Sequence, residues 1–230
     1  MTVRIGFDMD GVLADFATAF RDAETRLFGG PPTVAAEAPE VEAQQEEAQE
    51  VSGSAGQSPH EMRRRRDSVW NAIHRTPDFW TTLQPLDPGA VRRIHALMIR
   101  YRWEVFFITQ RPATEGQTVQ RQTQRWLVEQ GFDLPSVLVI SGSRGAAAGA
   151  LRLNFHVDDS PQNCLDVVSE SRARALLVVP EPDAVTEASA KRLKIDVTRS
   201  IGEALDALEQ RASGTQPGLL NRLSKIVGWE

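Results

Sequence analysis

Four acidic side chains in this 230-residue chain stand where carboxylates are costly. Asp8 and Asp10 flank Met9 directly after the apolar run 3–7, and Gly11 follows, letting the backbone turn away at once. Burying such a pair beside a strand end is unfavourable unless a metal or a substrate needs it. Asp158 and Asp159 are adjacent and close another apolar run, 155–157. Side by side their charges repel, so a hard divalent cation such as Mg2+ is their natural partner. Between the two pairs come Thr109, directly after run 105–108, and Arg144, in the loop after run 137–140. A hydroxyl in the first position can hydrogen-bond an anionic oxygen, although Thr109 also reads as a turn residue opening a helix. The second position supplies a cation near the same edge.

Positioning these groups falls to the apolar runs themselves. The runs at 3–7, 105–108, 137–140, 155–157 and 175–179 are short, rich in Val, Ile and Phe, and continuous rather than alternating. That pattern suits strands buried on both faces. Helical patterns lie between and after them at 90–102, 114–130, 146–151, 162–171, 184–193 and 201–211. The alternation predicts an α/β fold, a doubly wound parallel sheet with helices on both faces. In such a sheet all four signals fall at the carboxyl edge, where ligands bind.

Nearly a hundred residues separate the first strand from the second, far more than one crossover needs. Residues 15–28 and 61–75 read as helices, and 16–88 as a small helical cap inserted into a core of 1–15 and 89–212. Within the cap, the acidic stretch at about 31–60 has only Val34, Val41 and Val51 as strongly apolar residues. It cannot bury enough surface to offset its ordering entropy and reads as a flexible loop, with a marginal helix at 35–51 as the alternative. Residues 213–230 read as a linker and an amphipathic tail.

Asp8-Met9-Asp10-Gly11, then Thr109, then Arg144 fourteen positions before Asp158-Asp159, resembles motifs I to IV of the haloacid-dehalogenase (HAD) superfamily of phosphotransferases. The resemblance runs from Val3 to about Val179, and a cap between motifs I and II resembles the C1 class. More narrowly, the stretch from Asp8 to Phe16, Pro77-Asp78-Phe79-Trp80 and the segment from Leu83 to Ala90 are similar to the 5′(3′)-deoxyribonucleotidases. Two positions depart from the pattern. Motif III is usually Lys, but no lysine precedes Lys191, which leaves Arg144 at the right spacing. Motif II in the deoxyribonucleotidases runs Thr-Ser-Pro, whereas this chain has Thr109-Gln110-Arg111-Pro112, with Arg111 adding a cation near the phosphate site.

The resemblance implies a HAD-like Rossmannoid core and a Mg2+-dependent phosphomonoester hydrolase. In it Asp8 attacks phosphorus and forms an aspartyl-phosphate, while Asp10 protonates the leaving alkoxide and then takes a proton from water. Mg2+ would be held by Asp8, the Asp10 carbonyl and one or both of Asp158 and Asp159. Thr109, Gln110 and Arg144 would bind the phosphate. Phe16 would stack on a base, with Trp80 and Arg111 as further substrate contacts. A (deoxy)nucleoside monophosphate is the expected substrate. A sugar phosphate or another small phosphorylated metabolite is the alternative, and a catalytically idle binding protein of the same fold is the alternative of another class.

Other chemistries fit poorly. The Gly142-Ser143-Arg144-Gly145 turn lacks a Walker lysine. With five residues between, Cys164 is followed by Glu170 rather than Arg, so a cysteine-phosphatase loop fails and Cys164 reads as a buried small residue. His60, His74, His95 and His156 show no metal-ligand spacing, and although His156 neighbours the acidic pair, strand alternation is expected to turn it away from the site. A receiver domain uses similar residues in another order, with the basic residue last. Arg63 to Arg66 reads as a solvated run balancing nearby glutamates, or as a patch steering an anionic substrate.

Charge and cysteine content bound the rest. The net charge is −5, yet residues 31–60 hold six Glu and no Lys or Arg, so removing them takes −5 to +1. Neither value suits a general nucleic-acid-binding surface. One cysteine excludes an intrachain disulfide framework and a multi-cysteine zinc site. The first residues lack a signal-peptide stretch and no apolar run reaches membrane-spanning length, so a cytoplasmic protein is expected. The tail is expected to pack on the protein's own core or on a sister subunit, as in a homodimer, rather than on a membrane.

Overall fold

A computed structural model describes residues 2–30, 34 and 59–215. The expected acidic loop falls outside the described residues, apart from Val34 and the first residues of a helix at Pro59, and so does the tail beyond 215. Six strands are described: β1 (Arg4–Asp8), β2 (Glu104–Thr109), β3 (Val137–Val139), β4 (Phe155–Asp158), β5 (Arg174–Val178) and β6 (Asp196–Thr198). They form one sheet in the order β3-β2-β1-β4-β5-β6, and every neighbouring pair is parallel. The order in which strands are added reverses beside β1, between β1 and β4, so the ends of β1, β2 and β4 border the crevice where ligands bind in doubly wound folds.

Period-two alternation explains why the strands read as continuous apolar runs. Phe107 and Leu176 enter one cluster with Ile94 and Leu97 of α3 (Ala90–Tyr101) and Leu205 and Leu208 of α8 (Ile201–Thr215). Their neighbours Ile108 and Leu177 enter the opposite cluster with Ala148 of α5 (Arg144–Ala150) and Cys164 and Val167 of α6 (Pro161–Glu170). Cys164 is a buried core residue, as its sequence suggests. The two remaining helices of this α/β unit are α4 (Val119–Glu129) and α7 (Ala184–Leu193). β6 is a sixth strand that the apolar runs do not announce: Asp196-Val197-Thr198 carries one strongly apolar residue, and pairing with β5 defines it.

Between β1 and α3 the chain inserts α1 (Phe16–Phe28), α2 (Pro59–His74) and a 3-10 turn at Phe79–Thr81. Asp15 starts α1 by accepting from the Thr18 backbone N–H at 3.0 Å, a standard N-cap. Arg65 of α2 is ion-paired with the fully buried Glu24 of α1 and stacks over the Phe28 ring at 4.5 Å. Arg65 is therefore an internal tie between two helices, not a solvated or steering charge. Behind the helices the chain returns beside its own entry. The Asp15 amide donates to Gln84 O at 2.8 Å and the Leu86 amide to Leu13 O at 2.9 Å. Among the described residues, no helix is long and apolar enough to cross a membrane.

Candidate active site

Asp8 closes β1 almost fully buried, and its first partner comes from α5. The Arg144 Nη2 donates to Asp8 Oδ1 at 2.5 Å, and its Nε lies 3.3 Å from Asp158 Oδ2. Arg144 is not in a loop but is the first residue of α5, because Ser143 caps that helix by accepting from the Gly145 and Ala146 amides. Its Nη1 is buried with no hydrogen-bond partner among the described residues. Such a donor is costly unless something anionic meets it. Burial pushes the Asp8 carboxyl well above the usual carboxylate range; Arg144 opposes that, and the charges of Asp158, Asp159 and Asp10 add to it.

Asp158, at the end of β4, is surrounded by donors. Its Oδ1 accepts from the Ser160 amide and from Asn163 Nδ2, both at 3.0 Å, and its Oδ2 lies 2.8 Å from His156 Nε2. Burial works against the Asp158 charge, but the His156 hydrogen bond and the Arg144 charge prevail and hold the carboxyl below its ordinary value. The sequence expectation that His156 turns away from the site is corrected to this extent: the ring does not line the cavity, but it bonds Asp158. His156 and Asp158 are two residues apart on one strand and so share a face, and it is Asp159 that lies beyond the strand end. Burial nevertheless lowers the His156 pKa, outweighing its bond to Asp158. Gly6, paired in register with His156 on β1, leaves the ring its space, since a Cβ there would crowd His156 Nδ1.

Asp159 has the opposite surroundings. Among the described residues no side-chain donor reaches its carboxylate, which lies against the backbone of Gly11. Gly11 has φ 81°, a left-handed conformation, and a Cβ there would overlap the Asp159 carboxylate. Burial, then the Asp158 charge, pushes Asp159 up to about 7. Asp8, Asp158 and Asp159 each bring a carboxylate oxygen to within 4.8 Å of the others. Buried carboxylates that cannot all be charged together form the donor set of a hard divalent cation.

The Asp10 carboxylate stands apart from that cluster, because Arg111 holds it. Arg111 Nε donates to Asp10 Oδ2 at 2.8 Å and Nη2 to Oδ1 at 2.6 Å. The remaining Nη1 donates to Thr123 Oγ1 at 3.1 Å, and the guanidinium sits 4.8 Å from the centre of the Trp80 ring. Every nitrogen of the guanidinium is thus already bonded to the protein, and the Arg111 side chain is 0% exposed. The Thr109 hydroxyl accepts from the Arg111 amide at 3.3 Å, leaving its own proton to donate. The Gln110 side-chain amide donates to Gly142 O at 3.1 Å, bridging the loops after β2 and β3.

These groups border a cavity of about 550 Å3. Asp8, Asp10, Phe16, Trp80, Thr109, Gln110, Arg111, Arg144 and Asp159 all line it, while Asp158 supports it from behind. Phe16 packs 5.4 Å from Trp70 and 5.5 Å from Trp80, ring centre to ring centre, so one wall is aromatic. The Trp80 indole N–H donates to Pro112 O at 2.9 Å, and its ring is nearly fully buried. Sequence reasoning missed Trp70, Thr123 and Asn163. Asn163 carries a faint signal, a polar side chain one turn into a helix that Ser160 opens, whereas nothing in the spacing marks Trp70 or Thr123.

Residues 1–185 match the family described as 5′ nucleotidase, deoxy (pyrimidine), cytosolic type C protein. No curated protein matches the chain by sequence. Among solved structures, the chain is similar to a β-phosphoglucomutase candidate from Thermotoga maritima, with TM-score 0.53 and 19% identity over 91% of this chain and 99% of the other. It is similar to a HAD family hydrolase from Deinococcus radiodurans, solved with bound phosphate and sodium, with TM-score 0.52 and 15% identity over 92% and 96%. A haloacid dehalogenase-like family hydrolase from Streptococcus pneumoniae gives TM-score 0.51 and 14% identity over 90% and 98%. At these identities the likeness is one of fold.

Proposed function

Because this chain belongs to the 5′ nucleotidase, deoxy (pyrimidine), cytosolic type C family, on a HAD hydrolase fold, we propose that it hydrolyses (deoxy)nucleoside 5′-monophosphates through an aspartyl-phosphate on Asp8. The observation that carries this reading is the pairing of Asp8 with Arg144 on the floor of an aromatic-walled cavity, where Arg144 keeps a buried donor without a partner among the described residues. Residues 16–88 act as the cap over a core of 1–15 and 89–212. Phe16, with Trp70 behind it, supplies the flat apolar face for a base.

In the first half-reaction an Asp8 oxygen attacks phosphorus in line. The bond from phosphorus to the ester oxygen breaks, and its electron pair stays on that oxygen, which takes a proton from Asp10. In the second, water attacks the phosphoryl group and gives a proton to Asp10, while the bond to Asp8 breaks and restores the carboxylate. Arg144 and the Thr109 hydroxyl donate to the phosphoryl oxygens as their charge shifts.

The donor set fits Mg2+: all-oxygen, largely buried and overcharged. Asp8, Asp159 and the Asp10 carbonyl would hold it. Asp158 is the poorer ligand, since both its oxygens are already bonded, and it serves instead to anchor Arg144 and the start of α6. When bound, the ion neutralises phosphoryl oxygens and holds the phosphate for in-line attack.

Purified protein with Mg2+ is to be assayed for phosphate release from nucleoside monophosphates, sugar phosphates and a generic aryl phosphate. The expected ranking places nucleotides first. A panel in which no nucleotide outperforms the sugar phosphates refutes the substrate assignment. Asp8→Asn is expected to abolish release from every member, and retained turnover would overturn the nucleophile assignment.

A further inference from the structure

We infer that Arg111 is a positioning residue that acts through Asp10: it fixes the plane of the Asp10 carboxylate for proton transfer and does not itself bind the substrate. The inference rests on the proposed role of Asp10. Its basis is the side-on pairing of Nε and Nη2 with both Asp10 oxygens, at 2.8 and 2.6 Å, which holds a carboxylate more firmly than a single bond does.

Arg111 is itself fixed from three sides, two at the guanidinium and one at the backbone. Nη1 is bonded to Thr123 on α4, the Trp80 ring lies 4.8 Å from its centre, and the Arg111 amide donates to Thr109 Oγ1. Trp80 is anchored in turn, its indole N–H on Pro112 O and its amide on Gln122 Oε1 at 3.0 Å. Aromatic stacking and a polar fork of this kind require Arg; Lys can supply neither. Asp10 remains 23% exposed on its side chain and lines the cavity, so its remaining lone pairs are open to a substrate while Arg111 occupies the others.

A carboxyl group held in one plane exchanges its proton at a fixed point, and fixed geometry matters most when proton transfer limits bond breaking. An alkyl leaving group, such as the 5′-oxygen of a nucleoside, depends on that proton; an aryl leaving group hardly does. Arg111 should therefore matter more for the nucleotide than for the aryl phosphate, which needs Asp10 only as the base of the second half-reaction.

The test compares Arg111→Met, Arg111→Lys, Asp10→Asn and the Arg111→Met/Asp10→Asn pair, with Mg2+, on a deoxynucleoside monophosphate and on p-nitrophenyl phosphate. Arg111→Met is expected to lower kcat on the nucleotide by about 100-fold, the usual scale of a general acid, with KM changed by less than about threefold. On the aryl phosphate the loss should stay below about tenfold, and Arg111→Lys should recover only part of the nucleotide rate. In the Asp10→Asn background Arg111→Met should cost less than about twofold on the aryl phosphate, because a residue acting through Asp10 has nothing left to position. An undiminished loss in the Asp10→Asn background would overturn the inference by making Arg111 structural. A large KM rise on both substrates would overturn it by making Arg111 a phosphate ligand. Asp8→Asn separates these outcomes from failure of the aspartyl-phosphate reading, which it alone tests.

Discussion

Asp159→Asn gives the most direct physical test of a cation site, because it can be read without turnover. Asp159 is pushed up to about 7 by burial and by the Asp158 charge, against an ordinary value of 3.8. Its folded pKa is raised, so between those two values the native state binds a proton that the unfolded state has lost. Stability contributed by that proton is present at low pH and disappears as pH rises toward 7. At about 1.4 kcal/mol per pKa unit, the metal-free wild type should lose about 3 kcal/mol relative to Asp159→Asn between pH 5 and pH 8. Urea unfolding of both proteins across that range in EDTA measures the difference directly, and common acid effects cancel in it. At pH 8 with Mg2+ at about 100 times its Kd, the wild type should regain about 2.7 kcal/mol, and Asp159→Asn should gain much less. Parallel stability curves for the two proteins in EDTA, or equal stabilisation by Mg2+, would refute both the buried-charge argument and Asp159 as the ligand.

Gly11→Ala should lower stability by about 1–2 kcal/mol for a non-glycine in the left-handed region, seen as a fall in Tm of a few degrees by calorimetry. The same Cβ displaces the Asp159 carboxylate, so the Mg2+ concentration for half-maximal turnover should rise by about tenfold or more in a metal titration. Phe16→Ala removes the half-buried member of the aromatic wall and should raise KM for a nucleoside monophosphate by about tenfold, on the scale of one lost base stack. Steady-state kinetics should find the KM for p-nitrophenyl phosphate unchanged in that variant.

Strand ends proved the most legible part of the sequence, because one physical rule governs them. A strand buried on both faces must be apolar throughout, so an acid at its carboxyl end stands out, as Asp8 and Asp158 do. β6 escaped for the converse reason: it is an edge strand of three residues, half-buried, and defined by backbone pairing rather than composition. His156 was readable and misread; a period of two places it on the face of Asp158, and its hydrogen bond follows from that. Arg111 and Arg65 could not have been placed from sequence. Their partners Asp10 and Glu24 lie 101 and 41 positions away, and only the packed fold brings them together.

The scarcity of lysine acquires a meaning once the charges of the site are set side by side. Asp8, Asp10, Asp158 and Asp159 bring four formal negative charges, and two guanidiniums answer them: Arg144 on Asp8 and Asp158, Arg111 on Asp10. His156 adds no charge, since burial lowers its pKa. Two formal negative charges are left over, and they fall on the metal-cluster side, where burial raises the carboxyls of Asp8 and Asp159. A buried site can relieve such an excess by taking protons or by taking a divalent cation. The first silences Asp8 as a nucleophile and the second does not, because a carboxylate bound to a cation keeps its electron pairs. The arginines alone therefore leave the site overcharged by the charge of one divalent ion, and Mg2+ binding should release the Asp159 proton near neutral pH.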